Sequence, residues 1–196
     1  MINVALFGFG RIGQMHGKNL FKHPRFNLKY VYDRDYSLAK KSENKLKTKS
    51  IKDYKIALKD DSIKVIFIAS STPTHINFIR EAASHKKTIF CEKPLDLDLN
   101  KIISCKKFIQ KFSPRIQIGF NRRYDPGHYY LKKSIDQKKI GQLQKIIITC
   151  RDPAPPPLAY LKTAGGIFKD MIIHDFDLIR FYLKNDPIRE VFAATS

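Results

Sequence analysis

Six residues near the start of the chain, Gly8-Phe9-Gly10-Arg11-Ile12-Gly13, constrain its fold more than any other stretch. An apolar run over residues 2–7 leads into them, and a helical pattern from about Arg11 to Phe21 follows. Strand, glycine turn and helix in that order are the opening of a nucleotide-binding βαβ unit. Gly8 permits the tight turn, Gly10 lets a pyrophosphate approach the backbone, and Gly13 lets the helix pack close to the sheet. The helix N-terminus then offers free N–H groups and a partial positive charge to phosphates. A second strand, about Leu28 to Tyr32, ends at Asp33, and the interval from Gly13 to Asp33 is the one this fingerprint requires. A carboxylate there accepts hydrogen bonds from the adenosine ribose and repels a 2′-phosphate, which favours NAD. Arg34 beside it could receive that phosphate, so NADP stays open as an alternative.

The rest of the chain supplies the alternation that such a sheet needs. Tyr36 to Lys47 reads as a lysine-rich helix, with a short strand near Ile51 and a helix from Tyr54 to Lys59. Val65-Ile66-Phe67-Ile68-Ala69 is a buried strand, broken by Ser70-Ser71-Thr72-Pro73. Thr74 is placed to cap the next helix, to about Ser84. Thr88 to Cys91 is a strand, Asn100 to Lys111 a helix and Ile116 to Ile118 a strand. Strands and helices at this spacing predict a parallel sheet with helices on both faces. After Phe120 the pattern changes. A helix is predicted over about Pro126 to Gln137, a strand over Gln144 to Cys150, and a stiff extended loop over Asp152 to Pro157. One helix is predicted from about Phe168 to Leu183, and a last strand from about Arg189.

Bulk properties exclude several classes. A hydrophobic content of 43% suits a folded domain, and no apolar run approaches the roughly 18 residues of a membrane span. No export signal is visible at the N-terminus. The three cysteines form no CxxC pair, which argues against a disulfide framework or a zinc site and for a reducing cytoplasm. Cys91, at a strand end, reads as a buried structural thiol. The net charge of +19 raises nucleic-acid binding, but the lysines are spread through nearly every element and interleaved with acids. No nucleic-acid-binding motif accompanies them, so no nucleic-acid, membrane or metal partner is expected.

With Cys91-Glu92-Lys93-Pro94 the sequence resembles one specific family, the Gfo/Idh/MocA oxidoreductases. The resemblance covers essentially the whole chain. It runs through the glycine fingerprint, Ser71-Thr72-Pro73-Thr74-His75, residues 119–125 (Gly-Phe-Asn-Arg-Arg-Tyr-Asp), residues 151–157 and residues 165–177. The last two stretches look closest to the inositol 2-dehydrogenase branch. The implied fold is an α/β Rossmann domain with a doubly wound parallel sheet over residues 1–120. An α+β domain for substrate and subunit contacts would begin at 121–196. Family members are longer, so the second domain is expected to be incomplete here. Phe168, Ile172, Phe176, Ile179 and Leu183 would then leave an open apolar face.

Read from the residues alone, Asp170 and His174 are spaced i, i+4 and could share one helix face. A carboxylate beside an imidazole raises its basicity and orients it, but such a pair is also common as mere structure. Lys93, at a strand end beside the nucleotide turn, could stabilise alkoxide charge. The resemblance implies that Lys93, Asp170 and His174 are the catalytic lysine, aspartate and histidine. It implies cofactor contacts at Gly8, Gly10, Arg11, Ile12, Gly13, Asp33 and Arg34, and at Ser71, Thr72, His75, Glu92 and Lys93, with Pro94 lining the same pocket. Substrate contacts would be Lys93, Arg122, Asp152, Asp170 and His174, while Tyr124 and Asp177 receive no role. The implied reaction is NAD-dependent oxidation of a secondary hydroxyl of myo-inositol or a related cyclitol or sugar. The partners would be that polyol and either a second copy of the chain or a complementing C-terminal polypeptide. The competing reading is a non-catalytic nucleotide-binding remnant, or one half of a split enzyme.

Overall fold

A computed structural model describes residues 1–152, 154–184 and 186–194. Pro153, part of the loop predicted to be stiff and extended, lies outside the described residues. The chain divides into two compact units, Met1–Gly119 and Phe120–Ser196.

The first unit is a six-stranded, all-parallel sheet in the order β3-β2-β1-β4-β5-β6. Its strands are β1 (Ile2–Phe7), β2 (Phe26–Tyr32), β3 (Lys49–Ile51), β4 (Ile63–Ile68), β5 (Thr88–Cys91) and β6 (Ile116–Ile118). Between them run α1 (Arg11–Lys22), α2 (Tyr36–Leu46), α3 (Lys55–Lys59), α4 (Thr72–Ser84) and α5 (Leu99–Gln110). Alternation along β1 divides the core. Val4 and Leu6 pack with Leu20 of α1 and with Ala39 and Leu46 of α2. Ala5 and Phe7 pack with Leu58 of α3, Phe78 and Ile79 of α4 and Cys105 of α5. Successive strand residues face opposite sides, so a strand covered on both faces must be apolar throughout. Burial pushes the Cys91 thiol well above its ordinary range, as for an inert core residue.

The helix ends follow local chemistry. Asp35 caps α2 and Asp98 caps α5, each accepting a backbone N–H two residues on. The helix after β4 is the exception to the expected caps: Ser71, not Thr74, is its N-cap. Pro73 has no N–H to lose in a first turn, so the Thr72-Pro73 step that reads as a break is the start of the helix. Thr74 instead turns its hydroxyl back onto the Ser71 carbonyl at 2.7 Å.

The second unit begins with a 3-10 turn, Asn121–Tyr124, followed by α6 (Pro126–Asp136), which Asp125 caps. Residues 144–150, predicted as a strand, are not one. Residues 189–194 also lack the expected strand. A strand exists only as part of a ladder, and among the described residues none runs alongside either segment. Ile147 is accordingly 77% exposed and Phe192 91% exposed. A short helix absent from the prediction, α7 (Leu158–Ala164), follows the proline loop. The single helix predicted over 168–183 is two, α8 (Ile167–Asp170) and α9 (Ile173–Leu183). The break is a turn in which the Ile172 N–H reaches five residues back, to the Ile167 carbonyl at 2.9 Å. Among the described residues no helix is long and apolar enough to cross a membrane.

Candidate functional site

The loops that leave the carboxyl ends of β1, β2, β4 and β5 carry nearly all of the residues singled out in the first unit, along the sheet edge where parallel α/β folds bind ligands. The ladder extends past the strands into these loops. The Gly8 N–H donates to Tyr32, Ala69 to Phe7, and Glu92 to Ile68, all at 2.8–2.9 Å.

The three fingerprint glycines have different neighbours. Gly8 lies at φ +94°, and a Cβ on it would come within 2.4 Å of the Ser70 backbone. A Cβ on Gly13 would fall 2.0 Å from the Gly8 carbonyl oxygen, so α1 rests directly on the turn. Around Gly10 there is nothing within 4 Å of the Cβ position. Gly10 is the N-cap of α1, and no side chain caps that end. The N-terminus of α1 is thus uncapped by a side chain, open at Gly10 and backed by a helix dipole, which suits it as a cradle for a dinucleotide pyrophosphate. Arg11 is exposed beside it, while Ile12 is half-buried against the core.

Asp33 is pre-oriented at the end of β2. Its Oδ2 accepts the Phe9 N–H at 2.6 Å, and Oδ1 accepts the Asp35 N–H at 2.9 Å. Its carboxylate thus joins the glycine loop to the strand where an adenosine ribose would lie. Arg34 next to it is exposed.

Ser71 is exposed and Thr72 half-buried at the start of α4. His75, expected to line the cofactor pocket, is 1% exposed. Its ring spans two main-chain carbonyls, Pro94 at 2.8 Å from Nδ1 and Ser70 at 3.0 Å from Nε2. It therefore ties the β4 and β5 loops together from beneath. Glu92 likewise turns its carboxylate inward, to His16 Nε2 at 2.6 Å and to the Lys93 N–H at 3.3 Å. Lys93 is half-buried, and the Lys93–Pro94 peptide is cis.

In the second unit, Arg122 and Arg123 follow Gly119 and each meets an acid of α9. Arg122 pairs with Asp175 and also donates to Cys150 Sγ at 3.2 Å. Burial works against the Arg122 charge, but Cys150 and Asp175 more than offset it and hold the guanidinium above its ordinary pKa. Arg123 makes a two-pronged pair with Asp177, at 2.7 and 2.5 Å, which gives that aspartate a structural partner. Asp152 is exposed. Asp170 ends α8, where Tyr160 of α7 donates its hydroxyl to Oδ1 at 2.6 Å. His174 lies in the first turn of α9, half-buried, its ring edge-on to Phe120 at 6.3 Å. His16, Tyr160 and Asp175 were not marked by sequence. His16 meets Glu92 across 76 positions, and no local pattern signals a contact at that range.

Known proteins match this arrangement over its length. Residues 2–120 match the model described as the oxidoreductase family with NAD-binding Rossmann fold, and residues 128–196 match the GFO/IDH/MocA C-terminal domain. The uncharacterized oxidoreductase YrbE of Bacillus subtilis is 38% identical over 98% of this chain and 56% of its own length. The inositol 2-dehydrogenase of Rhizobium meliloti is 36% identical over 95% of the chain and 56% of its own. The crystal structure of scyllo-inositol dehydrogenase from Lactobacillus casei with bound NAD(H) and scyllo-inositol superposes with a TM-score of 0.81. It is 29% identical, and the match covers 93% of this chain and 56% of that one. The chain thus spans a little over half the length of the relatives it matches.

Proposed function

The chain belongs to the Gfo/Idh/MocA oxidoreductase family, and from that premise we propose that it oxidises a secondary hydroxyl of myo-inositol, or of a related cyclitol or sugar, to a ketone with NAD. The observation that carries the proposal is the position of Lys93. It leaves β5 at the same sheet edge as the open position at Gly10 and the Asp33 carboxylate at the end of β2.

In this reading the first-turn amides of α1 bind the pyrophosphate and Asp33 binds the adenosine ribose. NAD, when bound, supplies the hydride acceptor. Lys93 donates a hydrogen bond to the reacting oxygen and stabilises negative charge as the O–H proton departs. The His174 imidazole takes that proton, and Asp170 orients it. The Tyr160 hydroxyl holds one Asp170 oxygen, which limits the rotamers open to the carboxylate. Overall the alcohol loses a hydride from carbon and a proton from oxygen. Support for the substrate class is the similarity to inositol 2-dehydrogenases over nearly the whole chain.

The test is NADH formation from NAD and myo-inositol by the purified chain. Turnover is expected, and His174→Ala should abolish it while leaving the NAD dissociation constant within about twofold, since the pyrophosphate and ribose contacts lie in the first turn of α1 and just after β2. An active His174→Ala variant overturns the base assignment. A second reading is favoured by the exposed apolar segments 144–150 and 189–194. In it the chain binds NAD but turns over only when another polypeptide supplies strands beside them. NAD binding without turnover, restored by such a polypeptide, would select this reading.

A further inference from the structure

We propose that His16 is a positioning residue for Lys93, acting through the Glu92 carboxylate; this rests on the reading of Lys93 as the donor to the reacting oxygen. The Glu92 carboxylate is engaged at both oxygens, by His16 Nε2 at 2.6 Å and by the Lys93 backbone N–H at 3.3 Å. A carboxylate only accepts, so the proton between Glu92 and His16 comes from Nε2. Both side chains are mostly buried, 16% and 19% exposed, where a charge-assisted bond is stronger than in water.

Packing fixes both partners. Under the carboxylate lies Gly119, where a Cβ would come within 3.0 Å of Glu92 Cδ and both carboxylate oxygens. The carboxylate therefore occupies the space that a side chain would take. The His16 ring lies 4.7 Å from Phe67 and 5.5 Å from Phe90, two rings stacked on each other at 3.9 Å. On its other side Lys93 is followed by Pro94, whose carbonyl contacts His75 of α4. Lys93 is thus held between two anchors that come from helices on opposite faces of the sheet. The helix that carries His16 is also the one whose N-terminus forms the open cradle at Gly10. One rigid element accordingly sets both the phosphate cradle and the backbone of the Lys93 turn. Placing a hydrogen-bond donor against a reacting oxygen tolerates little error, so loosening this turn should lower turnover more than cofactor affinity.

The test compares His16→Leu, His16→Gln and Glu92→Ala in the full chain, by hydrogen exchange of residues 92–97, NADH affinity and steady-state kinetics. His16→Leu should speed exchange at 92–97 by about tenfold, the effect of losing one charge-assisted hydrogen bond. It should lower kcat by about tenfold with NADH affinity within about threefold. The glutamine amide can reach Glu92 as Nε2 does, so His16→Gln should recover exchange and kcat to within about threefold. In a Glu92→Ala background His16→Leu should add nothing, because the two act as one unit. Should His16→Leu fail to fold, His16→Asn replaces it: a polar side chain too short to reach Glu92, expected to behave as the leucine does. Unchanged exchange at 92–97 in the leucine or asparagine variant, or glutamine no better than leucine, overturns the proposal. The exchange readout needs no turnover, so an inactive chain would refute the proposed reaction while leaving the His16–Glu92 link decided by exchange.

Discussion

Alanine at Gly10 and alanine at Gly13 should separate cofactor binding from folding, although the two glycines are three residues apart. At Gly10 the backbone lies at φ −66° and ψ −166°, ordinary for alanine, and the new methyl would meet no protein atom within 4 Å. Only the N-cap preference of glycine over alanine is lost, about 0.5–1 kcal/mol, or about 1–4 °C in melting temperature for a chain of this size. The same methyl would occupy the open space at the N-terminus of α1, where the pyrophosphate is proposed to bind. A pyrophosphate displaced by it loses at least one charge-assisted hydrogen bond, worth about 2 kcal/mol, so NAD affinity should fall about thirtyfold. At Gly13 the methyl would fall 2.0 Å from the Gly8 carbonyl oxygen, 1.4 Å inside the 3.4 Å at which ordinary contact begins. Neither atom belongs to a flexible side chain, so α1 must lift off the turn, at a cost of about 3 kcal/mol or more. Calorimetric NAD titration and thermal melting of both variants provide the assay. A Gly10→Ala protein that binds NAD with unchanged affinity would refute the cradle, and a Gly13→Ala protein that melts with the wild type would refute the packing of α1 on the turn.

Three further outcomes follow from particular contacts. Asp33→Ser removes the charge that repels a 2′-phosphate beside the exposed Arg34, so titrations with both cofactors should show the NADP-to-NAD affinity ratio rising about tenfold or more. Asp60 is held below its ordinary pKa of 3.8 by hydrogen bonds from Lys29 and Ser62, and Lys29 is raised in step. A depressed carboxylate stabilises the fold above 3.8 and loses that contribution as pH falls through the folded value. Asp60→Asn should therefore melt about 2 °C below wild type at neutral pH, with the gap closing only as the solution becomes more acidic than about pH 4. Asp177→Asn leaves the Arg123 guanidinium without its two-pronged partner. Denaturant unfolding should register a loss of about 2 kcal/mol, less than for a fully buried pair because Arg123 is 38% exposed.

The first unit was legible because its signals are local and agree. Gly8, Gly13 and Asp33 each stand where a strand end or helix start demands that residue type, and the apolar runs of β1 and β4 need no knowledge of their neighbours. What the sequence could not show is the direction in which side chains turn. Glu92 lies in the motif that carries Lys93 and His75 in the separate stretch 71–75, and the family resemblance implies a cofactor contact for both. In the structure both also turn polar atoms onto the protein: Glu92 onto His16 and the Lys93 amide, His75 onto two carbonyls. A motif marks where a turn is built without separating the residues that build it from those that use it.

The second unit was less legible for a reason of a different kind. Residues 144–150 and 189–194 have strand composition, but composition is a preference that only a neighbouring strand can satisfy. Over 168–183 the apolar spacing is continuous, and it carries neither proline nor glycine at Met171 and Ile172, where the helix breaks. Both residues keep right-handed helical dihedrals, and the break is made by redirected hydrogen bonds: Ile172 reaches five residues back to Ile167, and His174 and Asp175 each reach three back, to Met171 and Ile172. Its consequence falls on the pair that matters most to the proposed chemistry. Asp170 closes one helix and His174 opens another, so their relative placement follows from this turn and not from the i, i+4 geometry of a continuous helix. A substitution that straightens the turn, such as Met171→Ala with its higher helix propensity, would alter that placement without touching either side chain.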